Sequence, residues 1–129
     1  MEGQNIKRYE ITCVYSHAEA ATDIVLVHGI NGHPKATWTA SNGVFWPSEL
    51  LPKTLKDAKV RVLVYGWNAD VYTDGRASTA SSDMIHEHAQ TILTTLSTER
   101  SDQGKEQNAI IWVAHSLGGI LVKKVCQIS

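Results

Sequence analysis

Apolar residues run along this chain in two rhythms. Tyr9, Ile11, Cys13 and Tyr15 alternate with Glu10, Thr12 and Val14, a period of two that predicts a strand with one buried face. It is placed at about residues 7–15, on the outside of a sheet and antiparallel to its neighbour. Ile24-Val25-Leu26-Val27 is apolar throughout, as a central parallel strand is when helices cover both of its faces. The β-branched run Val60-Arg61-Val62-Leu63-Val64 and the run Ala109-Ile110-Ile111-Trp112-Val113 predict two further central strands.

The segments between them carry helical spacing. One helix is predicted near Trp46–Leu55, with Pro47 suited to its first turn. Ile85, Ala89, Ile92, Leu93 and Leu96 recur on one helical face, and Ser101–Gly104 ends that pattern. Another helix begins after Ser116. Alternating strands and helices imply right-handed crossovers and a mostly parallel sheet, giving an α/β class with a three-layer α/β/α sandwich. Gly66–Gly75, containing Trp67, Asn68, Asp70 and Asp74, reads as a loop at the carboxyl end of a central strand, where open α/β sheets bind ligands.

At two strand ends the sequence turns chemical. Ala114-His115-Ser116-Leu117-Gly118-Gly119 lies between a strand and a helix, the context a G-x-S-x-G nucleophile elbow needs. The sharp turn strains the serine backbone, small flanking residues such as Gly118 let strand and helix approach, and Oγ projects above the sheet. Ala114 replaces the first glycine and adds a methyl group at a crowded point. A tight βα turn without chemistry is the plainer account of this segment taken alone.

His28-Gly29-Ile30-Asn31-Gly32-His33-Pro34 follows the first central strand, where the second half of an oxyanion hole belongs. Backbone N–H groups there stabilise the oxyanion of acyl transfer, each contributing about 3 kcal/mol. Ile30 N–H and Leu117 N–H are the expected pair. A Gly-rich connection or a phosphate loop is the alternative. The latter is disfavoured because Gly29-x-x-Gly32 fits neither G-x-G-x-x-G nor G-x-x-x-x-G-K-[ST]. The two motifs together, in this order, favour Ser116 as a catalytic nucleophile, with His28, Gly29, His115 and Gly118 supporting it.

Composition sets the frame for that chemistry. A chain of 129 residues, 43% hydrophobic, has the size and apolar content of one globular domain. A net charge of -1 gives no electrostatic reason to expect nucleic acid or an anionic membrane as partner. Cys13 and Cys126 show no CxxC spacing, which favours a reducing compartment. Neither a signal peptide at the amino terminus nor a run of roughly 20 apolar residues is present, so a soluble, cytoplasmic protein is expected.

With these residues in hand, the chain resembles the lipase-like serine esterases of the α/β-hydrolase superfamily. It is most similar to the serine active-site-containing proteins and to the N-terminal hydrolase domains of fungal NLR-like receptors. The landmarks are Ile24 through Pro34, Thr37-Trp38, Trp46-Pro47, Leu50-Leu51-Pro52, Val64-Tyr65-Gly66-Trp67 and the Ser116 elbow, spanning about residues 20–127. The resemblance implies a carboxylic ester or lipid substrate, no metal or organic cofactor, and association with mitochondria or the endoplasmic reticulum. It also implies a rival role, that of a non-catalytic signalling or recruitment module. A nucleotide-binding α/β domain is a third reading.

In this fold the triad runs Ser, then Asp or Glu, then His. After Ser116 the chain contains neither a carboxylate nor a histidine, so residues 1–129 read as a partial, truncated N-terminal half of a hydrolase domain, with the oxyanion loop at 28–34 and the elbow at 114–119. The earlier histidines are poor substitutes. His115 is turned away by the elbow, His28 orders the oxyanion loop, His86 and His88 diverge on a helix, and His17 and His33 lie in loops as solvated residues. Asp70 and Asp74 read as turn residues and Asp83 as a helix-start residue. Trp38, Trp46, Trp67 and Trp112 read as packing residues, with Trp38 or Trp67 the alternatives for an acyl pocket. A sheet that stops at residues 109–113 leaves an unpaired edge, and self-association through it is expected.

Overall fold

Val60–Tyr65 is buried at all six positions and forms a strand at the heart of the sheet. The computed structural model describes residues 5–55, 58–69 and 77–129, the last stretch with side chains from residue 83 onward. The strands are β1 (Ile11–Ser16), β2 (Thr22–Val27), β3 (Val60–Tyr65) and β4 (Ala109–Ala114), in the order β1-β3-β2-β4. β2 pairs in parallel with β3 on one side and with β4 on the other, while β1 runs antiparallel to β3. Helices α1 (Trp46–Glu49), α2 (Leu51–Leu55), α3 (Ala77–Asp102) and α4 (Leu117–Ile128) complete a mixed α/β fold.

Because successive strand residues point to opposite faces, the central strands supply two cores. Val25, Val27, Leu63 and Tyr65 pack with Ile85, Ala89, Ile92 and Leu96 of α3 and with Leu121 and Val125 of α4. Ile24, Leu26, Val62 and Val64 pack instead with Trp38 and Phe45, joined by half-buried Trp46 and Leu51. The apolar positions of β2 and β3 therefore serve both clusters.

Three expectations need correction. The outer strand begins at Ile11 rather than near residue 7, and Tyr9 is exposed. A bulge between Cys13 and Tyr15 also breaks its alternation, so Ile11 and Cys13 face one cluster while Val14 and Tyr15 join the other. The predicted helix at Trp46–Leu55 is two helices, α1 and α2, separated at Leu50. Pro52 has no N–H to extend the ladder, and its ring disfavours continuous helix through the residue before it. Finally, Asp83 lies beyond the first turn of α3, which starts at Ala77, so it is not a helix-start residue.

Arg61, the one charge in β3, is explained by its partners. At the amino ends of β2 and β3, the fully buried Asp23 carboxylate accepts hydrogen bonds from Arg61 Nε and Nη2 at 2.9 and 2.8 Å, from Arg100 Nη1 at 2.9 Å and from Asn108 Nδ2 at 2.9 Å. Arg61 also pairs twice with Glu99 of α3. Burial pushes the Asp23 carboxyl up, but the Arg61 and Asn108 hydrogen bonds and the two guanidinium charges outweigh it and hold it below the usual carboxylate range.

Candidate active site

Ser116 follows β4 directly and occupies the N-cap of α4 with φ 56° and ψ −126°. A non-glycine residue in such a conformation stores about 1–3 kcal/mol of strain, which persists only where its surroundings fix it. Here they do. His115 N–H donates to Val27 O at 3.1 Å, Gly118 N–H to His115 O at 3.0 Å, and Gly119 N–H to Ser116 O at 2.9 Å. Ser116 is exposed at the carboxyl end of the sheet, as a nucleophile must be. Ala114 is exposed too, so its methyl group does not sit at a crowded point.

Two glycines bring the elbow against the loop that follows β2. A Cβ on Gly118 would lie 2.4 Å from Val27 O, so the absence of a side chain lets α4 start directly over the end of β2. A Cβ on Gly29 would lie 2.6 Å from Ser116 Cβ and 3.2 Å from its Oγ. The serine side chain thus rests on the backbone of the expected oxyanion loop. Among the described residues, neither Ile30 N–H nor Leu117 N–H donates a hydrogen bond. Among these residues both expected donors are uncommitted, Ile30 adjoining Gly29 and Leu117 adjoining Ser116 in the chain.

His28 holds the loop from below. It is fully buried, stacks on Trp67 with ring centroids 5.8 Å apart, and places Nδ1 3.0 Å from Gly29 O. Trp67 backbone N–H donates to His28 Nε2 at 3.3 Å, and the Trp67 indole N–H donates to His28 O at 3.0 Å. An Nε2 that accepts requires the proton on Nδ1, so His28 is the neutral Nδ1–H tautomer donating to Gly29 O. Burial holds its pKa below the ordinary histidine value. Gly32 N–H closes the turn onto Gly29 O at 2.9 Å, and Asn31 N–H reaches Ala69 O at 3.0 Å. Asn31, at φ 55°, is the other described non-glycine residue with positive φ.

The remaining sequence candidates lie elsewhere in the fold. His33 lies in a loop, partly exposed, and its Nδ1 accepts from Lys35 and Ala36 N–H and so organises the turn at Ala36–Trp38. His17 Nδ1 accepts from Glu19 N–H at an exposed turn. His88 packs edge-on against Trp67 at 5.0 Å, and burial lowers its pKa. Asp70 and Asp74 lie outside the described residues. No described histidine or carboxylate is hydrogen-bonded to Ser116. No cluster of three or more metal-ligating side chains occurs among the described residues.

Sequence reasoning treated Trp67 mainly as packing. Its signal was present, because a buried indole N–H needs an acceptor and Trp67 sits two residues past a central strand, beside the other loop. His33, Lys35, Ala36 and Thr39 line an open groove of about 430 Å³. Among the described residues no helix is long and apolar enough to cross a membrane. Compared with protein-family models, curated proteins and solved structures, the chain finds no match.

Proposed function

We propose that the chain has the three-layer α/β-hydrolase fold and acts as a serine hydrolase on a carboxylic ester or lipid. The observation that carries this reading is the placement of Ser116. Held at φ 56°, it lies exposed against Gly29, and among the described residues the N–H groups of its chain neighbour Leu117 and of Ile30, next to Gly29, donate no hydrogen bond. Ser116 Oγ adds to the ester carbonyl carbon, the carbonyl electron pair moves onto oxygen, and the two N–H groups receive the oxyanion. Collapse expels the alcohol and leaves an acyl-serine, which water hydrolyses. The sheet faces, each carrying its own core, support the layered architecture. The ester or lipid class comes from the resemblance to lipase-like esterases.

With no described side chain to receive it, the hydroxyl proton passes through water to the departing alkoxide. Turnover by the described residues alone is therefore slow, near the roughly 10³-fold over water that oxyanion stabilisation supplies without a complete triad. That same observation favours a second reading, a recruitment or signalling module that keeps the elbow without using it. Incubation of the 129-residue chain with a fluorophosphonate probe, followed by peptide mass spectrometry, decides between them. An adduct on Ser116 that Ser116→Ala abolishes supports the hydrolase. A folded chain with no adduct there overturns it.

A further inference from the structure

The oxyanion loop is fastened to the segment that follows β3, and Trp67 is the fastening. Both of its N–H groups are spent on His28: the main chain donates to Nε2 at 3.3 Å and the indole donates to the carbonyl at 3.0 Å. Two residues further on, Ala69 O accepts from Asn31 N–H at 3.0 Å. Trp67 is itself immobilised, 2% exposed between the His28 ring and His88 of α3. Ile30, between these tethers, is half exposed and among the described residues makes no hydrogen bond of its own. The direction of its N–H is thus set by its neighbours.

We propose that Trp67 is a positioning residue for the oxyanion loop, and that protonation of His28 breaks its clamp and makes the site pH-gated. The clamp works in one protonation state only. If His28 gains a proton, Nε2–H and Trp67 N–H become two donors facing each other at 3.3 Å in a buried site, and one must withdraw. Nδ1–H still holds Gly29 O, so the loop moves with the ring and swings from the β3 side. Among the described residues, the titratable and charged groups bearing on His28 are His33 and Arg8, and both oppose a positive charge there. With burial acting the same way, the transition falls below the ordinary histidine value of about 6.5.

This gate rests on the hydrolase reading for the use made of Ile30 N–H, but its test does not need catalysis. Long-range proton–nitrogen NMR of the labelled chain reports the His28 tautomer, and amide spectra report Ile30 and Asn31, between about pH 8 and about pH 5, a window that brackets the ordinary histidine pKa. We expect the Nδ1–H tautomer at the upper end. As His28 protonates, the Ile30 and Asn31 amides move with the same midpoint. Trp67→Phe, which keeps the main-chain donor and loses the indole one, shifts that midpoint upward and slows fluorophosphonate labelling of Ser116 roughly 10- to 100-fold, the scale of a displaced reacting group. An Nε2–H tautomer at neutral pH, or Ile30 and Asn31 amides that stay still while His28 titrates, overturns the gate. The wild-type titration decides this even if the variant does not fold. Absence of any Ser116 adduct, with the NMR behaviour intact, counts against the hydrolase reading and leaves the clamp standing.

Discussion

Gly29 and Ser116 meet at a separation that no side chain at position 29 permits, since a Cβ there would stand 2.6 Å from Ser116 Cβ and 2.6 Å from His115 O. The His115 oxygen is backbone and cannot rotate away. Gly29→Ala is therefore expected to push the loop that follows β2 away from Ser116, costing about 1–3 kcal/mol as overpacking does, and to lower Ser116 labelling by more than the loss of stability explains. Labelling at the wild-type rate would mean that the contact does not position the serine.

Strain at Ser116 has its own signature. Alanine keeps the unfavourable φ of 56°, whereas glycine relieves it. Ser116→Gly should be more stable than Ser116→Ala by about 1 kcal/mol, although glycine ordinarily loses more chain entropy on folding. Urea denaturation of the two variants checks the order.

The buried cluster around Asp23 gives a prediction in acid. Its folded pKa lies below the unfolded value near 3.9, so its contribution is fully present above that value and is lost as pH falls through the lower, folded one. Asp23→Ala leaves Arg61 and Arg100 buried without their shared carboxylate, an expected loss of about 3–5 kcal/mol. In the variant, the decline of stability below about pH 4 should be shallower than in the wild type, as read from unfolding midpoints across that range.

His28 and His88 act in a higher window. Burial lowers both folded pKa values, so the unfolded chain takes up protons first as pH drops below about 6.5, and stability falls from there down to the folded values. His88→Phe, which keeps an aromatic edge against Trp67, should flatten part of that slope. Calorimetric midpoints between about pH 7 and about pH 5 measure it.

The outer side of β4 offers a prediction about association. Among described residues the strand pairs only with β2, its sequence Ala109–Ala114 carries no charge, and Ile111 is 51% exposed. Such an edge lacks the lysines, prolines or bulges that block pairing. Purified chain should form dimers or larger species by size-exclusion chromatography with light scattering at tens of micromolar, and Ile111→Lys should shift it toward monomer. A wild-type monomer at that concentration counts against pairing through β4.

What the sequence made legible is what local patterns encode. Apolar runs located β2 and β4 and a β-branched run located β3, and small residues after β2 and β4 located the turns that meet at Ser116. The bulge in β1 escaped because an extra residue at Cys13–Tyr15 leaves the alternation looking regular. The break at Leu50 was written in Pro52, but the apolar spacing of Trp46–Leu55 concealed it. The charge of Arg61 inside a central strand went unexplained in the sequence because its partners, Asp23 and Glu99, each lie 38 residues away. Trp67 was visible as a residue and hidden as a donor, because its acceptor belongs to another loop.

Those separations bear on how the molecule assembles. Asp23 waits for Arg61 across 38 residues, for Arg100 across 77 and for Asn108 across 85, so its network closes only once β2, β3 and the segment leading to β4 have converged. Bonds that close last are absent from the folding barrier. Weakening them should leave the rate of folding nearly unchanged and speed unfolding instead, which makes Asp23 a latch on the lifetime of the native state rather than a guide to reaching it.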